Sequence, residues 1–209
     1  MITPAPESDA PLVGVLALQG NVAEHRAALG AAGARSTPVR RPEELAAVDG
    51  LVVPGGESTT IDRLLRRFGL RDPLRDRIAA GLPVLGSCAG MILLADRLAA
   101  CAPDQETVGG LDIVVRRNAF GRQIDSFEAD LAVTGIADPQ RRFPAVFIRA
   151  PWVEWVGGSV QVLARVERRD GDAAAVVVRQ GNLIATAFHP ELTADHRIHE
   201  LFVSMVRAC

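Results

Sequence analysis

The chain has 209 residues, 48% hydrophobic and 23% charged, with a formal net charge of −2, and all 23 of its basic residues are arginine. That size and composition describe one globular domain with a substantial core and exclude a disordered chain, while the charge balance leaves no footprint for nucleic acid or an anionic membrane. The absence of lysine excludes a Schiff-base mechanism and a Walker-type phosphate loop within this chain, and no apolar run is long enough to span a bilayer.

Residues 1–11 are proline-rich, with neither a basic start nor an apolar stretch. They read as a short disordered tail and not an export signal, which favours the cytoplasm, and residues 12–209 read as the domain. Residues 12–18 are a continuous apolar run, the pattern of a central parallel strand. Gln19-Gly20-Asn21 turns the chain, Asn21 is placed to cap a helix over 22–32 that carries His25, and Gly33 ends that helix. Residues 36–40 suit a second strand, and Pro42 sits early in a short helix.

Residues 50–54 form the next buried strand. It runs into Gly55-Gly56-Glu57-Ser58-Thr59-Thr60, followed by a helix over 61–68. Two glycines at a strand end give backbone freedom and exposed N–H donors that suit an oxyanion or a carboxylate, and the same pair also suits a tight connection between strand and helix. A helix over 72–80 stops at Gly81.

Residues 82–91 read as a buried strand, a very tight turn and the start of an apolar helix. The turn, Gly86-Ser87-Cys88-Ala89-Gly90, has the nucleophile-elbow form with sulfur in place of the serine oxygen. Small residues at −2 and +2 let strand and helix approach, and a helix start beside the sulfur favours thiolate over thiol. A buried structural cysteine fits the turn as well. The helix is expected over 89–99. Cys101 follows it and Cys209 ends the chain, so both read as incidental; three cysteines at this spacing form neither a disulfide framework nor a metal site.

Beyond residue 111 the chain turns strand-rich: 113–115, 129–133, 145–148, 160–166, 174–178 and 183–187. Gly157-Gly158 and Asp170-Gly171-Asp172 mark turns, and a final helix covers 194–207. The whole reads as a single α/β domain, an open mixed, mostly parallel sheet with helices on both faces.

A thiolate needs a base, and the base needs an orienter. His196 and His199 fall among polar residues, on what reads as a solvated helix face. His189 follows the strand over 183–187, where carboxyl ends of strands line the ligand crevice, and Glu191 stands two residues on as the natural orienter. A turn histidine with a capping glutamate is the plainer alternative.

The cysteine elbow with a downstream His189-Pro190-Glu191 resembles the class I, triad-type glutamine amidotransferases. Leu18-Gln19-Gly20 with Glu24-His25, Pro54 through Thr60, Arg117 through Gln123, Asp125 through Glu128 and Phe147 through Pro151 narrow the resemblance to one branch, the glutaminase subunit of pyridoxal 5′-phosphate synthase. The resemblance runs from about Val13 to the C-terminus. It implies that Cys88 attacks the side-chain amide of L-glutamine, that His189 moves the proton and that Glu191 orients His189. It further implies glutamine contacts from Gly56, Glu57, Ser58, Arg117, Ile148 and Arg149, and an oxyanion hole from the backbone of Gly56 and Ala89. Arg117 or Arg149 could supply the cation for the α-carboxylate. No cofactor and no metal are implied. The implied partner is a (β/α)8-barrel lyase subunit in a large hetero-oligomer, which receives the ammonia and raises a weak glutaminase activity. The glutaminase of another synthase, a DJ-1-type cysteine hydrolase and an inactive regulatory subunit are the competing readings.

Overall fold

The structure, a computed structural model, describes residues 9–100, 105–117, 126–167 and 171–209. Residues 1–8 of the expected tail, Cys101, residues 118–125 of the two quoted stretches and Asp170 of the expected turn lie outside the described residues. Ala10 and Pro11 accept hydrogen bonds from Arg35.

In chain order the first half holds β1 (Leu12–Leu16), α1 (Val22–Ala31), β2 (Arg35–Val39), α2 (Pro42–Ala46), β3 (Gly50–Val53), α3 (Ser58–Arg67), α4 (Arg71–Ala79), β4 (Val84–Ser87) and α5 (Ala89–Leu94). The second half holds β5 (Ala95–Ala100), β6 (Leu111–Arg116), β7 (Ser126–Leu131), β8 (Phe143–Ile148), β9 (Trp152–Val156), β10 (Gln161–Glu167), β11 (Ala173–Gln180), β12 (Leu183–Thr186) and α6 (Arg197–Arg207). The main sheet runs β2-β1-β3-β4-β12-β11-β9-β6-β5, with β10 also on β11, and β7 and β8 form a separate two-stranded ribbon. The pairings from β2 to β12 are parallel, and those of β11 and of β9 are antiparallel.

Strands β3, β4 and β12 position the site. They are adjacent and parallel, and their registers align Val53 with Gly86 and Thr186 with Ser87. Their carboxyl ends are therefore level, and the three loops that leave them meet at one edge. All twelve residues of these strands are buried, as their continuous apolar runs require of strands covered on both faces.

The two covering layers follow from side-chain alternation. A Cβ on Gly50 would meet Val206 and Phe202 of α6. A Cβ on Gly86, which shares the face of Val53, would meet Leu94 of α5. Gly50 and Val53 are three residues apart and point to opposite faces. Helices α5 and α6 thus cover opposite faces of the sheet, as expected.

Several elements differ from expectation. The helix after the elbow ends at Leu94, and residues 95–100 turn into β5, which pairs with β6. Polar Asp96 and Arg97 take partners there, Asp96 from Gly110 N–H and Arg97 from Asp112. Helix α3 begins at Ser58, not at residue 61, because Glu57 caps it by accepting from Thr60 N–H at 2.8 Å. Strand β9 lies between the motif ending at Pro151 and the turn at Gly157-Gly158, in a stretch where the sequence pattern assigns no element. Helix α6 begins at Arg197 instead of 194. His199 is fully buried and not on a solvated face, since it lies in the inward row of Phe202, Val203 and Val206.

Candidate active site

Cys88 links β4 to α5 with φ 50° and ψ −102°. Such a backbone costs a non-glycine residue about 1–3 kcal/mol and persists only where its surroundings over-determine it. Here Cys88 N–H donates to Thr186 O at 2.8 Å, which ties the elbow to β12, and Met91 N–H donates to Cys88 O at 3.1 Å. The flanking glycines allow the close approach: a Cβ on Gly86 would sit 2.7 Å from the Gly90 carbonyl carbon. Ala89, the first residue of α5, follows the sulfur directly.

His189 leaves β12 and is tied to β8 by donation from its N–H to Val146 O at 2.9 Å. Pro190 and Glu191 then enter a single 3-10 turn (Pro190–Leu192) that returns the Glu191 side chain to the ring. His189 Nδ1 lies 2.8 Å from Glu191 Oε1. An ionised carboxylate only accepts, so Nδ1 carries hydrogen and Nε2 is the nitrogen left for the thiol, whose Sγ lies 3.9 Å from Ile148 O.

Burial alone would lower the His189 pKa, but the hydrogen bonds and charges of Cys88 and Glu191 outweigh it and raise the pKa from 6.5 to about 10. Burial likewise pushes Glu191 up, and the His189 hydrogen bond with the charges of His25 and His189 outweighs that and brings it down to about 2. The resting pair is therefore a carboxylate held against a histidine that keeps its proton well above neutral pH.

Cys88 and His189 line a cavity of about 180 Å³ together with Gly56, Glu57, Ser58, Arg117, Ile148 and Arg149. Every residue expected as a glutamine contact is on this one cavity, with Ile92 in addition, while Ala89, expected in the oxyanion hole, is not among its lining residues. A space of this size lies below the range of drug-sized pockets and suits a small metabolite. Gly55 permits the arrangement, because a Cβ there would overlap His189 Cε1.

The loop before α3 is tied to the rest of the site by polar bonds. Gln19 Oε1 accepts from Glu57 N–H at 3.2 Å. Arg117 donates to Glu57 Oε1 at 2.7 Å and also to Gln105, whose amide donates to Ser58 Oγ at 2.9 Å. Arg149 is exposed at φ 43° and, among the described residues, forms no ion pair. Arg117 is thus already paired, and Arg149 is the cation on the cavity that a ligand carboxylate can take up without breaking an ion pair. Among the described residues no group of three or more His, Cys, Asp or Glu side chains is placed to hold a metal ion, and no helix is long and apolar enough to cross a membrane.

Sequence reasoning passed over a second set of side chains behind the triad. Asn21, expected as a cap, makes no cap bond and donates to Glu191 Oε1 at 3.1 Å. His25, Ser87 and His199 are fully buried beside it. The signal for His25 was present: it falls with Ala28 and Leu29 at positions i, i+3 and i+4 on the inward stripe of α1.

A profile of the SNO glutamine amidotransferase family matches residues 15–208. A protein of Acidothermus cellulolyticus named pyridoxal 5′-phosphate synthase subunit PdxT is 64% identical over 201 residues, covering 96% of each chain. One of the same name from Frankia casuarinae is 65% identical over 198 residues, covering 95% of this chain and 96% of that one. A solved structure described as a glutamine amidotransferase superposes with a TM-score of 0.84 at 47% identity, covering 93% of this chain and 98% of that chain. A PurLQS structure from Thermotoga maritima, at 17% identity and TM-score 0.66 over 95% of this chain and 98% of that chain, shares the fold.

Proposed function

The chain belongs to the SNO glutamine amidotransferase family, and on that premise we propose that Cys88, His189 and Glu191 carry out the glutaminase reaction. The chain is the glutaminase subunit of a pyridoxal 5′-phosphate synthase. It hydrolyses L-glutamine to L-glutamate and ammonia, and works with a synthase partner in vitamin B6 biosynthesis. The readings as the glutaminase of another synthase or as a DJ-1-type hydrolase are not favoured.

Cys88 Sγ attacks the side-chain amide carbon of glutamine, and the negative charge moves to the amide oxygen. A neutral amide is a poor electrophile, so backbone N–H donors at that oxygen, from Gly56 and Ala89, are worth about 3–4 kcal/mol. His189 Nε2 gives its proton to the departing nitrogen, which leaves as ammonia, and a glutamyl thioester remains on Cys88. Water then attacks the thioester with His189 as base, releasing glutamate and restoring the pair. Glu191 keeps the ring in the tautomer both steps need. Arg149 takes the α-carboxylate, while Arg117 holds the Glu57 loop in place.

The observation that carries this reading is the Cys88 elbow facing a His189–Glu191 pair at 2.8 Å across one small cavity. Its test is glutamate release from L-glutamine by Cys88→Ala, assayed with the synthase partner present. The variant keeps the fold and the partner and loses turnover, and turnover near wild type would overturn the mechanism.

The finer expectations belong to the same proposal. Residues 12–209 form one glutaminase domain, and the protein works in the cytoplasm. The partner is a (β/α)8-barrel lyase subunit in a large hetero-oligomer, which builds pyridoxal 5′-phosphate from a pentose phosphate and a triose phosphate through lysine imines. A chain with no lysine leaves that chemistry to the partner. Free ammonia at neutral pH is mostly ammonium and not nucleophilic, which is the physical reason to join the two active sites.

A further inference from the structure

Glu191 is buried and ionised, so each of its oxygens needs a donor. Oε1 has two, His189 Nδ1 at 2.8 Å and Asn21 Nδ2 at 3.1 Å. Oε2 lies 3.3 Å from His25 Nε2, but the two are not hydrogen-bonded in this geometry, and among the described residues Oε2 has no hydrogen-bond partner. Asn21 and His25 are four residues apart at the start of α1, so one helix end presents both groups to the carboxylate.

The His25 ring is fixed from behind. Its Nδ1 lies 3.0 Å from His199 Nε2, and its Nε2 also lies 3.1 Å from Ser87 Oγ. Because a carboxylate cannot donate, the hydrogen of a neutral His25 belongs on Nε2. Nδ1 is then bare and accepts from His199 Nε2–H. His199 Nδ1 is left with no hydrogen-bond partner among the described residues. Burial lowers the pKa of both rings, that of His199 to about 3, so both stay neutral under working conditions.

We propose that His25 is a positioning residue for the glutaminase reaction: its Nε2–H, 3.3 Å from the otherwise unpartnered second oxygen of Glu191, is the donor placed to take up that oxygen, and His199 fixes the tautomer that lets it do so. The inference rests on the triad reading above. With the polar hydrogen of His25 facing the second oxygen, the carboxylate is kept from turning about its last bond, and His189 stays aimed at Cys88. Without His25, no polar hydrogen faces Oε2, and Glu191 turns or takes up a proton.

The test compares His25→Gln with His25→Met, two side chains of similar length of which only glutamine can donate to Oε2. Glutamate release is measured with the synthase partner present, with folding followed by circular dichroism. His25→Met lowers kcat about tenfold to a hundredfold, the usual cost of losing an outer partner of a working residue, while KM stays near wild type. Its acidic limb in the pH profile of kcat moves to higher pH, because a Glu191 that has lost a donor is easier to protonate. The titratable groups around His25 are Glu191, His189, Glu24 and His199, with His196 beside His199, and the variant leaves all of them in place. His25→Gln recovers most of kcat and the wild-type limb.

Equal losses in the two variants with unshifted limbs would assign His25 to packing alone and overturn the proposal. So would a wild-type kcat in His25→Met. If His25→Met does not fold, His25→Gln decides: near-wild-type kcat supports the proposal, and a loss as deep as in Glu191→Ala overturns it. Wild-type enzyme with no glutaminase activity would instead count against the triad reading.

Discussion

At the scale of single residues, the site depends on how one carboxylate and one imidazole are held. Glu191 receives donors from His189 and Asn21 on one oxygen and faces His25 on the other. His189 in turn lies between two groups that stabilise its charged form, which is why its pKa reaches about 10 although burial works the other way. Its proton is therefore lost only as pH rises toward about 10, far above the ordinary 6.5 of histidine. Removing Cys88 takes away one of the two supports and leaves Glu191. In Cys88→Ala the His189 titration thus moves down, to a value between these limits. An NMR pH titration of the His189 ring checks this. A wild-type ring titrating near 6.5, or the same curve in both proteins, would contradict it.

At the scale of elements, three parallel strand ends supply the chemistry. β4 gives Cys88, β12 gives His189, and β3 runs into the loop that closes the cavity. Gly55, at the start of that loop, has room for no side chain because His189 Cε1 occupies the space. Gly55→Ala therefore displaces the imidazole from Cys88. Its kcat falls by at least tenfold, for about 1–3 kcal/mol of lost stability from overpacking. Kinetics beside a urea unfolding curve measure both, and wild-type kcat in a folded variant would contradict the account. These strand ends were legible in the sequence because apolar runs followed by Gly-rich turns have few other structural solutions. The elbow and the His189-Pro190-Glu191 turn were legible for the same reason. What was not legible depended on partners distant in sequence. Nothing local ends α5 at Leu94; the strand at 95–100 exists because β6 is there to pair with it. Asn21 looked like a cap because its better partner lies 170 positions away. His199 looked solvated because its neighbours are polar, although its helical period with Phe202, Val203 and Val206 placed it inside.

At the scale of the molecule, the sheet separates two layers with different roles. On one face α5 follows the nucleophile. On the other, α1 and α6 bring His25 and His199 together behind Glu191, so the polar groups of the site extend into that layer. The proposed mechanism requires that the substrate become covalently attached to Cys88. The most direct measurement is rapid acid quenching of the wild-type chain turning over L-glutamine with its synthase partner, followed by peptide mass spectrometry. The account predicts a glutamyl group on the peptide that holds Cys88, absent from Cys88→Ala. Glutamate release with no acyl group on Cys88, or with one on another residue, would contradict it.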